Sequence, residues 1–300
     1  MGKNVEFRPL GPGDEAALER FLAEHLNSSL FLLSNSRVSG VLDGDKPYHG
    51  AYVGAFEEGV PRAVVAHYWN GNLVLQAPEH LEPLLEELSR WTRRPVRELI
   101  GPWAQVEQAR RVLGLEDARC TLESKEVLFA LALERLRIPP ALDSGEVRSL
   151  RAREEDVELL VRWRHDYLVE ILGKPAGEAL MAGCREFVAR MMKEGSLFVL
   201  THGQEVVSLT AFNARLPEIV QVGGVYTPPS LRSRGYARAA VAGSLRTVHA
   251  EGCQSAVLFT PVENLPAQRS YRAIGFEEVG DYALIVLERE HRLRVSTRRG

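Results

Sequence analysis

One stretch limits the fold of this chain more than any other. It runs Val222-Gly223-Gly224-Val225-Tyr226-Thr227-Pro228-Pro229-Ser230-Leu231-Arg232-Ser233-Arg234-Gly235-Tyr236-Ala237, and a long alanine-rich amphipathic run follows. The first part has the composition of a buried strand. Two prolines stiffen a turn, and a basic loop containing Gly235 opens straight into a helix. The first turn of a helix has unpaired backbone N–H groups and the positive end of the helix dipole, so such a loop faces an anion. A phosphate or pyrophosphate is its natural occupant. Gly235 lets the backbone approach that anion, Ala237 keeps the first turn close to the strand, and Arg232 and Arg234 add charge at the same place.

The loop lacks both the Gly-x-Gly-x-x-Gly pattern of a dinucleotide site and the Gly-Lys-Ser/Thr of a P-loop. Its spacing, Arg232-x-x-Gly235-x-Ala237, resembles the Arg/Gln-x-x-Gly-x-Gly/Ala motif of the GNAT superfamily of N-acetyltransferases. Downstream, Ala256–Pro261 reads as a buried strand. Asn264-Leu265-Pro266-Ala267-Gln268-Arg269-Ser270-Tyr271-Arg272-Ala273-Ile274-Gly275-Phe276 then resembles the second GNAT motif: an Asn after the fifth strand, a Tyr in the next helix and a closing Gly-Phe. The resemblance extends from about Gly145 to Arg289. Within it the expected elements are a strand at 146–152, helices at 154–172 and 176–193, and a hairpin of 196–202 with 205–213. A strand at 219–227, a helix at 236–250, a strand at 256–260, a helix at 265–274 and a strand at 283–288 follow. That order is the GNAT order.

The N-terminal half repeats it weakly. Val5–Pro9 followed by Asp14–Leu18 parallels Val147–Arg151 followed by Asp156–Leu160, and a hairpin turning at Gly59 parallels the one turning at Gly203. Ile100-Gly101-Pro102 and Val112–Glu116 echo Phe259-Thr260-Pro261 and Ala273–Glu277. The chemistry is missing, however: Ala77-Pro78-Glu79-His80-Leu81 joins strand to helix without glycine, Trp103 stands where Asn264 would be, and Arg110 where Tyr271 would be. The expected fold class is α/β (α+β), two tandem GNAT-like domains, each a mixed, mostly antiparallel twisted sheet flanked by helices. The expected division is a degenerate domain at 1–138, a proline-containing linker at 139–145 and a catalytic domain at 146–300.

Composition adds exclusions. A net charge of −3 gives no general attraction to nucleic acid or to an anionic membrane, and the arginines at 292, 294, 298 and 299 read as a solvated end. Cys120, Cys184 and Cys253 are isolated and odd in number, which points to reduced thiols of a cytoplasm and away from disulfides or zinc. No apolar stretch nears the roughly 20 residues of a membrane span, and no signal peptide opens the sequence. The histidines show no metal-ligand spacing, so no metal is expected.

The resemblance implies acetyl-CoA as cosubstrate, held by Val225, Tyr226 and Thr227 of the strand, by Arg232, Ser233, Arg234, Gly235, Tyr236 and Ala237 of the loop, and by Asn264. Gly223-Gly224 suits a bulge that splays the strand. The implied reaction is direct attack of a primary amine on the thioester, with a backbone N–H near Val225 polarising the carbonyl and Tyr271 protonating the departing thiolate. Many relatives carry a Glu base where Gln221 stands here, so Glu218 is the candidate base. His165, Asp166 and Glu170, with Trp163 and Tyr167, share the first helix of the catalytic domain beside the acceptor site. The acceptor is a small-molecule or peptide amine of unspecified identity, and the sequence leaves the oligomeric state open. Two alternatives stay open: a non-catalytic acyl-CoA-binding or regulatory protein, favoured by Gln221, and a tandem acyltransferase of the mycothiol synthase kind. Transfer from aminoacyl-tRNA is disfavoured by net acidity.

Overall fold

The computed structural model describes residues 4–295, so Arg298 and Arg299 lie outside the described residues. The chain forms two compact units: residues 4–127 with 280–295, and residues 128–279.

The first unit is built from β1 (Val5–Pro9), α1 (Glu15–Glu24), α2 (Leu26–Ser39), β2 (Gly50–Glu57), β3 (Val60–Tyr68), β4 (Asn72–Gln76), α3 (Leu81–Trp91), β5 (Pro95–Pro102), α4 (Trp103–Leu113), the start of β6 (Cys120–Ala132) and most of β12 (Glu277–Arg292). Its strand order is β1-β2-β3-β4-β5-β12-β6. β4 and β5 are parallel, and the other pairings recorded in this unit are antiparallel. α3 shows why such segments fold as they do: Leu81, Leu84, Leu85 and Leu88 recur at helical spacing and are all buried, while Glu82, Glu86 and Glu87 share the other side. They pack on Val53, Val65, Leu73 and Leu75 of the sheet.

The second unit contains the end of β6, α5 (Pro140–Asp143), β7 (Val147–Arg151), α6 (Val157–Leu172), α7 (Glu178–Lys193), β8 (Leu197–His202), β9 (Glu205–Arg215), β10 (Ile219–Tyr226), α8 (Tyr236–Ala250), β11 (Ser255–Pro261) and α9 (Leu265–Ala273). Its order is β6-β11-β10-β9-β8-β7. β10 and β11 are parallel, which the intervening helix α8 permits. α6 and α7 cover one face, where Leu160, Val161, Val188 and Met191 pack on Val199, Leu209 and Ala211. α8 packs on β7, β8 and β9, with Ala239, Ala240, Val241, Ala242 and Leu245 buried.

The compact units do not meet where the sequence places its linker. Residues 139–145 lie inside the second unit and carry the one-turn helix α5, with Leu142 buried. The unit boundary falls within β6 instead. The closing strand also differs from expectation. Residues 283–288 finish the sheet of the first unit, with Ala283 opposite Gly101, Leu284 opposite Ile100 and Ile285 opposite Leu99. The physical reason is burial: Ala283, Ile285 and Leu287 complete the apolar core built by α3, α4 and β2–β5. In exchange, the end of β6 lies beside β11, and the Leu133 N–H donates to the Gln254 carbonyl at 2.8 Å.

Candidate functional site

The site grows from the way β10 leaves its neighbours. β10 pairs with β11 only through Ile219–Ser255, Val220–Ala256 and Gln221–Val257. On its other side the register slips: Gly223 opposes Ala211 and Tyr226 opposes Leu209, so Gly224 and Val225 together face the single residue Thr210. This is a bulge, and Gly224 takes the left-handed backbone (φ 59°) that it needs. The bulge anticipated at Gly223-Gly224 is present.

Beyond the bulge, β10 is anchored from within. The Ser208 hydroxyl donates to the Tyr226 carbonyl at 3.0 Å and lies 2.9 Å from the Thr227 hydroxyl. Arg232 turns back on the same segment. Its Nε donates to the Thr227 carbonyl (2.9 Å), and its two terminal nitrogens grip Glu170 of α6 at 2.7 and 2.8 Å. The guanidinium holds the Glu170 carboxyl below its usual range, and the Tyr226 ring lies 5.8 Å away. Arg232 therefore spends its charge on Glu170 and fixes the loop, whereas the sequence cast it as free charge at the anion.

The loop then curls through two left-handed residues, Ser233 (φ 63°) and Gly235 (φ 79°), into α8. No side chain caps α8, which leaves its leading N–H groups facing outward. Arg234 is exposed, with a long 3.5 Å contact to the Ser230 carbonyl. The Tyr236 side chain is buried and its hydroxyl meets His202 Nδ1 at 2.9 Å, so it pins α8 to the sheet and only its backbone faces the loop. Ala237, half-buried, keeps the first turn slim.

Arg238 is the residue that sequence reasoning missed. It stands in the first turn of α8, a position where a cation opposes the helix dipole unless an anion is shared. Its guanidinium comes within 3.5 Å of where a Gly235 Cβ would lie, and its Nε is buried without a partner. That unfavourable placement was a legible signal. Three further buried polar atoms without partners belong to α6, β9 and β10: Arg164 Nε, Thr210 Oγ1 and Gln221 Oε1. A ligand or ordered water would satisfy such groups. The residues present therefore fit a phosphate-bearing, amide-rich cosubstrate such as acetyl-CoA.

Asn264 caps α9, its Oδ1 accepting from the Ala267 N–H at 3.2 Å. Tyr271 stands half-buried on α9 with its ring edge-on to Phe129 (6.2 Å) and Phe276 (6.1 Å), and α9 packs beside α8. Glu218 does not join this group. It precedes β10, where its carbonyl receives Gln254 and Ser255 N–H groups, and six residues of strand, about 20 Å, separate it from Gly224. Gln221 is buried and donates to the Val222 carbonyl. Asp166 lies nearer the bulge: its charge bears on Tyr226, whose phenol burial raises, and His165 Nδ1 is 3.4 Å from its carboxylate. Trp163 faces Tyr226 at 6.2 Å.

The equivalent place in the first unit is closed. β3 and β4 pair without a slip, and β5 still lies against β4 at Gly101, where a Cβ would come 2.8 Å from the Leu75 carbonyl oxygen. The Ala77 N–H is taken by Gln105 Oε1 at 2.7 Å. Arg110 is buried and bound to Glu123, Glu107 and the Glu116 carbonyl. Nearby, Glu57, Glu79 and His80 bring single ligand atoms within 4.8 Å of one another, a grouping that 21 intervening residues hid from spacing arguments.

The profile of the acetyltransferase (GNAT) family matches residues 158–276, the stretch that carries the bulge, the loop and α9. These residues form a GNAT-family domain. The fold of the whole chain recurs in solved structures. A Drosophila protein aligns at TM-score 0.67 and 13% identity, over 95% of this chain and 99% of that one. A GCN5-related N-acetyltransferase from Sphaerobacter thermophilus aligns at 0.58 and 15%, over 97% and 96%. A tandem GNAT protein from the clavulanic acid biosynthesis pathway aligns at 0.53 and 12%, over 98% and 100%. No curated protein sequence matches. The whole chain is thus a tandem of GNAT folds, with the acetyltransferase-family profile on the second. Among the described residues no helix is long and apolar enough to cross a membrane.

Proposed function

We propose that this protein is an N-acetyltransferase that moves an acetyl group from acetyl-CoA to a primary amine, with one catalytic site, in residues 128–279. The observation that carries the reading is the asymmetry between the units. Among the described residues only the second has a glycine bulge beside a diverging parallel pair, followed by a glycine-led, uncapped helix with an arginine whose buried Nε lacks a partner. Acetyl-CoA supplies an activated acyl carbon. Bound N–H groups at the head of α8, with Arg238 and Arg234, hold its phosphates, and the bulge at Val225 presents a backbone N–H to the carbonyl oxygen. An N–C bond forms as the C–S bond breaks. The amine loses one proton and the departing sulfur gains one, from the Tyr271 phenol. Asp166, with His165 beside it, takes over the base role from Glu218, which stands at the far end of the strand. Asn264 fixes α9, and with it Tyr271.

The buried amide at Gln221, where a base is usual, favours a second reading: a protein that binds acyl-CoA without turnover. A screen of amines with acetyl-CoA, read as free thiol release, separates the two. Release that requires both amine and protein supports transfer. Tight acetyl-CoA binding with no release from a broad panel supports the second reading.

A further inference from the structure

Arg164, half-buried on α6, carries a charge at this site that no carboxylate among the described residues answers. It projects from α6 with its guanidinium 4.0 Å from the Phe187 ring centroid and 5.1 Å from that of Tyr167. The two rings leave its donor edge as the polar surface available to a ligand. Among the described residues it makes no ion pair, and its Nε is buried without a hydrogen-bond partner. Burial, opposed by no carboxylate, lowers its pKa, and Arg190 adds to the lowering. Glu170, fewer than two turns further along α6, is the bidentate partner of the loop residue Arg232. Arg164 has no such residue.

Holding a guanidinium partly out of water without an anion is costly, and an arginine stays charged at neutral pH. The direction in which it points is therefore informative. One terminal nitrogen comes within 3.5 Å of where a Cβ on Gly224 would lie. Gly224 is the bulge residue, next to the Val225 backbone that faces the reacting carbonyl in the function proposed above. The cosubstrate phosphates belong eleven residues further on, at Gly235, so they are not the missing partner. A planar carboxylate matches the fork of a guanidinium, with two parallel hydrogen bonds.

Resting on that functional reading, we propose that Arg164 binds a substrate carboxylate beside the reacting centre, so that the molecule joined at this site is an acid. The carboxylate comes either from an amino acid acceptor, next to its amine, or from a dicarboxylic acyl chain on the donor. Glycine, alanine and glutamate are compared with their amides as acceptors for acetyl-CoA, and succinyl-CoA with butyryl-CoA as donors to a fixed amine. The full-length chain and Arg164→Gln and Arg164→Lys variants are used, with thiol release as the readout. The acid form is expected to win by about 10–100-fold in kcat/KM in one arm, and that arm names the source of the carboxylate. Both substitutions should remove the preference through KM for the acid substrate, Lys included because it cannot supply the fork. Calorimetric affinity for acetyl-CoA should stay within about threefold in the acceptor case, and thermal unfolding checks that the variants fold.

Equal use of acids and neutral analogues in both arms, turnover of neither, or a preference that survives Arg164→Gln overturns the proposal. Acetyl-CoA binding by the wild-type chain distinguishes the two levels of failure. If binding is present without an acid preference, only the role of Arg164 is lost. If binding is absent, the acetyltransferase reading falls as well.

Discussion

Replacing Gly235 by valine should separate folding from cosubstrate binding. Gly235 sits at φ 79° and ψ 4°, a left-handed conformation that costs a β-branched residue about 1–2 kcal/mol. The added side chain would also enter the 3.5 Å gap to the Arg238 guanidinium. Domains of this size are usually stable by about 5–15 kcal/mol, so the variant should remain folded, with Tm lowered by a few degrees, about 2–4 °C per kcal/mol. Binding should suffer more. Hydrogen bonds to a charged group contribute about 1.5–3 kcal/mol each, and valine should deny the phosphates two of them. The expected loss is about 3–6 kcal/mol, or roughly 10²–10⁴-fold in Kd. Isothermal titration of wild type and variant with acetyl-CoA measures it directly, with circular dichroism confirming the fold. A folded Gly235→Val protein that binds acetyl-CoA as tightly as wild type would refute the placement of the phosphates at this loop.

Two further outcomes follow from other parts of the molecule. Tyr271→Phe should lower kcat and kcat/KM together by about 10²–10⁴, with acetyl-CoA affinity unchanged, because proton donation to sulfur occurs only after the ground state; a matching rise in Kd would instead make Tyr271 a binding residue. His67, fully buried between the Pro95 carbonyl and the Thr92 hydroxyl, is pushed by burial from 6.5 to about 4. Its folded state binds fewer protons than its unfolded state between these values. Stability is therefore full above pH 6.5, and about 3 kcal/mol is lost as pH falls to 4. Urea denaturation of wild type and His67→Gln across that range checks this, and identical slopes would contradict it.

What the sequence made legible was local. The helix expected at 236–250 is α8 residue for residue, because proline, glycine and an amphipathic run punctuate it within one segment. The Gly223-Gly224 bulge was legible because few other residues take that backbone. Arg110 as a missing tyrosine was legible too, and its burial among carboxylates gives it a structural task. Partners distant in sequence were not legible. Nothing near Arg232 in the chain announces Glu170, 62 residues away, nor does anything near Arg164 announce Phe187. The apolar run at 283–287 marked a buried strand but not the sheet it joins, since apolar composition carries no address. Sequence nearness also hid the reach of Glu218: six residues of extended strand set its backbone about 20 Å along β10 from Gly224.

Calorimetric titration of the intact chain with acetyl-CoA tests the central claim most directly, because one open site and one closed site make stoichiometry decisive. One site per chain is the expected result, abolished by Gly235→Val and untouched by Gln105→Ala in the first unit. Two equivalent sites per chain, or one site lost through Gln105→Ala and kept in Gly235→Val, would contradict the account.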